Sequence, residues 1–122
     1  MNWATGDSQL IQSEEAAYTM SIDFNPEQNQ NVMRYEYDSL TQLGSVYEVD
    51  LDSGERKLLK QDKINGEYNA DEYQSQRLEI TARDGALVPV SLVYKKDLGE
   101  LDQRPLLVYA YGSYGSSIDP KF

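Results

Sequence analysis

One uninterrupted apolar run, LLVYAY at positions 106–111, constrains the fold of this chain more than any other feature. A strand that is apolar on both faces needs a covering layer on each side, as in the parallel part of an α/β sheet. The best helix candidate, Ser8 to Tyr18, is too weak to supply such layers. The sequence therefore predicts a buried strand over Leu106 to Tyr111 whose covering layers are missing from the chain, so that the chain is truncated relative to its fold.

The segment that follows this predicted strand is rich in glycine and serine, reading GSYGSS at positions 112–117. Open α/β sheets bind their ligands just beyond the carboxyl ends of their strands. We therefore expect a ligand site at or close to this segment.

Alternating apolar and polar residues predict several half-buried β-strands upstream of this region. The predicted strands cover positions 17–23, 33–38, 45–51 and 55–60. Asp52, Ser53 and Gly54 separate the last two strands, and this glycine can supply the positive φ that a short hairpin loop needs. Strands that recur at this spacing are typical of a sandwich, a barrel or the blades of a propeller.

A polar, turn-rich stretch from Ile64 to Gln76 predicts a boundary between this meander and the rest of the chain. Beyond it, Leu78 to Ala82 and Val88 to Tyr94 alternate on either side of Asp84-Gly85, a strong hairpin turn signal. We expect this second hairpin to have one exposed face.

Composition excludes several kinds of site and partner. The net charge of -10 argues against nucleic acid as a partner. The chain has no Cys and no His, so it lacks the usual general base for a serine nucleophile and the commonest metal ligands. We expect no cofactor and no metal. No run approaches the roughly 18 apolar residues of a membrane span, and MNWATGDSQL at the start does not resemble a signal peptide, so a cytoplasmic protein without membrane contact is expected.

Several strings in the chain closely resemble the oligopeptidase B group of the prolyl oligopeptidase family of serine peptidases. They are RLEITARDGALVPVSLVYKKD at 77–97 and PLLVYAYGSYGSSIDPKF at 105–122, with RYEYDSL and SVYEVDLDSGERKLLKQ upstream. The resemblance implies a mainly β piece, with residues 1–63 ending a seven-bladed propeller and residues 64–76 as the linker. Residues 77–122 would then be the first strands of an α/β-hydrolase catalytic domain.

The same resemblance implies an activity, the hydrolysis of short peptides after Arg or Lys by a Ser, Asp and His triad. No GxSxG motif occurs in the chain, and neither the Asp nor the His of the triad can be matched. We therefore expect the chain alone to be inactive and to need the remainder of the catalytic domain. Short basic peptides are the expected substrates of the whole enzyme.

Three residues at or beyond the end of the apolar run match positions of the family site. Tyr111 matches a tyrosine whose hydroxyl binds the oxyanion of the tetrahedral intermediate, a role that suits a phenol with a pKa near 10. Tyr114 aligns with an aromatic wall of the substrate pocket. Asp119 matches an acidic position that binds a basic substrate residue. Gly112 and Gly115 are expected to give the loop conformations closed to other residues.

One departure from the family pattern is Lys121, which stands where a second acidic residue is common, so the preference of this subsite stays open. Other interpretations also stay open: Tyr111 as a packing tyrosine, Asp119 as a turn former before Pro120, and the two glycines as ordinary turn residues. The alternative from another class is a free-standing β-rich binding module without hydrolytic activity.

Overall fold

The computed structural model describes residues 4–122, apart from the side chain of Leu101. This described part is mainly β, as expected, with six strands in two antiparallel sheets and two single-turn 3-10 helices, Ala70–Glu72 and Leu101–Gln103. The first sheet contains β1 (Tyr18–Ile22), β2 (Val32–Ser39), β3 (Ser45–Asp50) and β4 (Arg56–Gln61) in chain order. The second is the hairpin of β5 (Tyr73–Thr81) and β6 (Leu87–Lys95).

The four-stranded sheet confirms the four strands predicted upstream, with boundaries that move by one or a few residues. Each strand pairs with the next in antiparallel register, so the sheet is a meander of the kind that forms a propeller blade. The turn between β3 and β4 contains Gly54 at φ +74°, which confirms the expected positive φ. The weak helix candidate Ser8 to Tyr18 is not a helix; β1 begins at its last residue.

The buried core of the described chain lies on one face of this sheet. Tyr35 and Tyr37 are two residues apart on β2, so both side chains point to the same face, where they meet Val49 of β3. The rings of Tyr35 and Tyr47 stack with their centroids 5.6 Å apart. We call residues 9–17 the strap; its Ile11 packs against this core, and Ala17 at its end is buried.

The second sheet confirms the Asp84-Gly85 hairpin. Gly85 has φ +87°, and the Ala82 N–H donates to the Ala86 carbonyl at 2.8 Å. The hairpin is longer than predicted, because β5 begins at Tyr73, opposite Lys95, inside the range expected to be linker. Apolar side chains on both strands are exposed, including Leu78, Ile80, Leu87 and Val88.

The loop after β6 folds back onto the hairpin through Arg104. Its guanidinium carbon lies 5.6 Å from the ring centroid of Tyr94, and its Nη1 donates to the Lys95 carbonyl at 2.5 Å. A second donor, Nη2, bonds the Gly99 carbonyl. This one side chain fixes the start of the segment that carries the candidate site.

The prediction of a strand over Leu106 to Tyr111 is wrong for this chain. These residues form no strand, and their large apolar side chains are exposed, with Leu107 91% exposed. A strand needs a neighbour to accept and donate its backbone hydrogen bonds, and no strand of the described residues pairs with this run.

Candidate functional site

The candidate site lies on the segment 111–119, which continues directly from the exposed apolar run. The side chain of Tyr111 is 51% exposed. Within residues 4–122, no hydrogen bond or ring contact joins Tyr111, Tyr114 and Asp119 to one another. The structure therefore places the three predicted site residues on one segment and does not bring their side chains together.

A tight turn in this segment places Tyr114 on its tip. The Ser116 N–H donates to the Ser113 carbonyl at 3.0 Å, and the two central residues, Tyr114 and Gly115, have φ +56° and +70°. Two positive φ values are typical of a type I′ turn, which favours Gly, Asn and Asp. A tyrosine in this conformation costs about 1 to 2 kcal/mol of backbone strain. Tyr114 is 99% exposed.

The two glycines of this loop behave differently. Gly115 has the positive φ that was expected of it. Gly112 has no positive φ, so the expectation that it adopts a conformation closed to other residues is wrong. A Cβ at either position would meet no atom within 4 Å, so only the backbone of Gly115 calls for glycine here.

Asp119 is exposed and lies just before a C-terminal tail, residues 120–122, that contacts the four-stranded sheet. The Thr19 hydroxyl on β1 donates to the Pro120 carbonyl at 3.3 Å. The Phe122 N–H donates to Oδ1 of Asp38 on β2 at 2.9 Å. The acidic candidate is therefore anchored by its C-terminal neighbours, whereas Tyr114 is held only by its turn.

A polar network on the four-stranded sheet was missed from the sequence. Glu15 of the strap accepts hydrogen bonds from the Tyr37 hydroxyl at 2.9 Å and from the Thr41 hydroxyl at 2.7 Å. The Ser13 hydroxyl lies 2.7 Å from the same Tyr37 oxygen and, because that phenol proton goes to Glu15, is the donor there. The signal was the alternation of Ile11, Ser13, Glu15 and Ala17, which face the sheet while their neighbours are exposed.

The surroundings of Tyr37 change its acidity. Burial raises the pKa of the Tyr37 hydroxyl to about 12, the Ser13 hydrogen bond opposes this rise, and Glu15 adds to it. Burial likewise raises the pKa of Tyr68, with smaller contributions from Tyr73 and Glu15. Both phenols therefore stay protonated at neutral pH and act as hydrogen-bond donors.

Tyr68 joins the two sheets and the tail. Its hydroxyl donates to the Thr41 carbonyl at 2.7 Å. Its ring lies 5.4 Å from that of Tyr73 at the start of β5, and 4.9 Å from that of Phe122 in an edge-to-face arrangement. No group of His, Cys, Asp and Glu among residues 4–122 is arranged to hold a metal ion.

Comparison with known proteins matches nearly the whole chain to peptidases. Dipeptidyl aminopeptidase BI of Pseudoxanthomonas mexicana is 43% identical over 120 residues, which is 98% of this chain and 16% of that protein. Protease 2 of Moraxella lacunata is 32% identical over 96% of this chain and 17% of that protein.

The structure matches oligopeptidase B from Trypanosoma brucei, solved in a closed form with covalently bound antipain. The TM-score is 0.78 at 34% identity, over 91% of this chain and 16% of that protein. The resemblance to oligopeptidase B is therefore confirmed.

The match covers only a small part of each of these peptidases. The chain spans about one-sixth of the length of these peptidases, with 16% of the first. No protein-family model matches the chain. Within the described residues, no helix is both long and apolar enough to cross a bilayer.

Proposed function

We propose that this chain is part of a serine peptidase that hydrolyses short peptides after Arg or Lys, and that it contributes an oxyanion donor and part of a substrate subsite. The observation that supports this most strongly is the match along 91% of the chain to the fold of an oligopeptidase B. The triad serine, aspartate and histidine would come from the remainder of the catalytic domain. Residues 1–63, 64–76 and 77–122 would be the propeller end, the linker and the first part of that domain.

Tyr111 would donate its hydroxyl to the oxyanion of the tetrahedral intermediate. A half-exposed phenol at the end of an apolar run can approach a substrate carbonyl and donate a hydrogen bond to it. Because negative charge develops on that oxygen only in the transition state, such a donor increases kcat more than it lowers KM.

Tyr114 and Asp119 would contact the substrate. The fully exposed ring of Tyr114 at the tip of its turn would pack against a substrate side chain. The carboxylate of Asp119 would pair with the positive charge of a guanidinium or ammonium group. The net charge of -10 supports long-range attraction of such basic peptides.

The first experiment assays the purified 122-residue chain on an Arg-containing chromogenic peptide. We expect no turnover, because the chain has no histidine to act as the general base. Turnover above that of a heat-treated sample would contradict the proposal. The alternative, a binding module without hydrolytic activity, is tested by the coding frame beyond Phe122. If the chain is part of a serine peptidase, we expect that frame to encode a GxSxGG motif and then the Asp and His of the triad.

The second experiment uses an enzyme in which that frame continues through the triad. We expect Tyr111→Phe to lower kcat by about 100- to 1000-fold with little change in KM. Tyr109→Phe is the matched control, because Tyr109 is an exposed tyrosine in the same run and is expected to leave kcat within about twofold. Equal effects of the two variants would overturn the role of Tyr111.

A second candidate activity is the removal of dipeptides from a free amino terminus, favoured by the 43% identity to a dipeptidyl aminopeptidase. In that case Asp119 would pair with the substrate's terminal ammonium group. The two candidates are separated by comparing one Arg-containing substrate with a free and with an acetylated amino terminus. Loss of cleavage on acetylation favours the dipeptidyl activity, and equal cleavage favours the endopeptidase.

A further inference from the structure

The C-terminal tail rests on a pair of residues that lie directly opposite each other in the four-stranded sheet. Thr19 on β1 and Asp38 on β2 are register partners. Thr19 donates to the Pro120 carbonyl at 3.3 Å, and Asp38 accepts from the Phe122 N–H at 2.9 Å. One cross-strand pair thus holds a carbonyl and an amide two residues apart along the tail.

The ring of Phe122 adds a third contact. It meets the ring of Tyr68 edge to face, with the centroids 4.9 Å apart and the planes at 78°. Such an arrangement directs the positive edge of one ring at the negative face of the other. Tyr68 is itself fixed by its hydrogen bond to the Thr41 carbonyl at 2.7 Å. The tail therefore contacts groups that are already held in place by the sheet.

Charge also favours this position of the tail. Lys121 lines a groove of about 230 Å³ together with three acidic residues, Glu36, Asp38 and Asp62, and with Lys60, whose Nζ lies 3.9 Å from Oδ1 of Asp62. A positive side chain between two docked residues suits a groove with three acidic residues in its wall. The lysine that departs from the family's acidic position thus has a place on the sheet surface.

We propose that Thr19, Asp38 and Tyr68 form a tail clamp, and that this clamp positions Asp119, the residue directly before the docked tail. The role of Asp119 in binding basic substrates rests on the proposed function. The docking of residues 120–122 on the four-stranded sheet does not. Asp38 and Tyr68 are positioning residues here, since they act on the substrate subsite through residues 120–122. The position of Asp119 in the proposed subsite therefore depends on the four-stranded sheet as well as on residues 111–119.

The clamp is tested with the whole chain by NMR, comparing Asp38→Ala with Asp38→Asn. Asparagine keeps an oxygen that can accept the Phe122 amide hydrogen bond, whereas alanine removes it. We expect Asp38→Ala to increase solvent exchange of the Phe122 amide about tenfold and to lower the heteronuclear NOE of Asp119. Asp38→Asn is expected to restore most of both values.

Thr19→Val provides a second variant of nearly the same shape, so the test does not depend on how well Asp38→Ala folds. Circular dichroism checks that each variant retains its sheet. Unchanged NOE of Asp119 and unchanged exchange of Phe122 in both Asp38→Ala and Thr19→Val would overturn the clamp. Loss in Asp38→Ala without recovery in Asp38→Asn would also overturn it, since a general disturbance of β2 would give that result.

A separate titration distinguishes failure of the clamp from failure of the proposed function. Acetyl-arginine amide is added to the wild-type chain, and the amide shift of Asp119 is followed. We expect a shift at Asp119 that weakens in Asp38→Ala. If the wild-type Asp119 does not respond at any concentration of the probe, its substrate role is wrong, while the Phe122 and Asp119 mobility data still decide the clamp.

Discussion

The four-stranded sheet and the segment after the second hairpin differ in where their apolar side chains lie. Tyr35 on β2 is 3% exposed, whereas Leu107 in the apolar run is 91% exposed. Among the side chains that the structure describes, none after Val49 is buried. The first region covers its own core with a strap, and the second has apolar residues without a layer to cover them. The site residues follow the second kind of segment, which suits a site completed by further structure.

The largest expected difference between the two regions comes from removing one apolar side chain in each. Tyr35→Ala should lower the free energy of unfolding by about 3 to 5 kcal/mol, because it leaves a cavity in the small core. Leu107→Ala should change it by less than about 0.5 kcal/mol. Urea unfolding followed by circular dichroism measures both. Similar losses would show that the apolar run is packed in solution.

The strap is tested by two adjacent glutamates. Glu15→Ala should cost about 1 to 3 kcal/mol, because the Tyr37 and Thr41 hydroxyls lose their acceptor. Glu14→Ala is the matched control; Glu14 is exposed and is expected to change stability by less than about 0.5 kcal/mol. Thermal unfolding of the two variants compares them, and an equal effect would argue against the network.

The raised pKa of Tyr37 predicts a loss of stability at high pH. The folded chain holds the phenol proton up to a pKa of about 12, whereas the unfolded chain releases it near the ordinary value of 10. The stabilisation is therefore complete below pH 10 and is lost as the pH rises toward 12, by about 1 to 2 kcal/mol. Urea unfolding at pH 9 and 11.5 measures this.

Tyr37→Phe is the control for that measurement, because it retains the ring and removes the titrating group. The decrease in stability between the two pH values should be smaller in this variant. Part of the decrease should persist, since burial also raises the pKa of Tyr35 and Tyr68. An unchanged decrease would exclude Tyr37 as a source.

The smallest expected difference comes from two glycines with similar backbone angles, Gly54 at φ +74° and Gly115 at φ +70°. Gly54→Ala should cost about 1 kcal/mol, because it strains the turn between two strands of the cooperative sheet. Gly115→Ala should strain its own turn equally without changing global unfolding. Guanidinium unfolding of both variants measures these changes in the free energy of unfolding. A larger decrease for Gly115→Ala than for Gly54→Ala would contradict the expectation.

Residue patterns predicted most of the strands and much less of the site. Alternation identified β1 to β4 and the Asp84-Gly85 hairpin, because successive side chains of a strand point to opposite faces of its sheet. It missed the strand residues Tyr73 to Gln76, because their mostly polar side chains show no alternation. They form a strand because β6 is long enough to pair with them. Glu15 was missed because its partners, Tyr37 and Thr41, are distant in sequence.

The run Leu106 to Tyr111 shows the opposite error. Its composition favours a strand, but strand pairing depends on partners that a single run does not encode. The exposure of its apolar side chains was expected, because no helix predicted from the sequence could cover them. The assignment of Tyr111 and Asp119 to positions of the family site stays a prediction. The contact of the tail with Thr19 and Asp38 could not be read from the sequence, since it joins residues about one hundred positions apart.

Amide hydrogen exchange of the intact chain compares the two regions most directly. We expect the Tyr35 and Tyr37 amides on β2 to exchange only through global unfolding, and the Val108 and Tyr111 amides to exchange at nearly the rate of an unfolded peptide. Protection of Val108 and Tyr111 as strong as that of β2 would contradict this expectation, because the apolar run would then already be paired and covered within this chain.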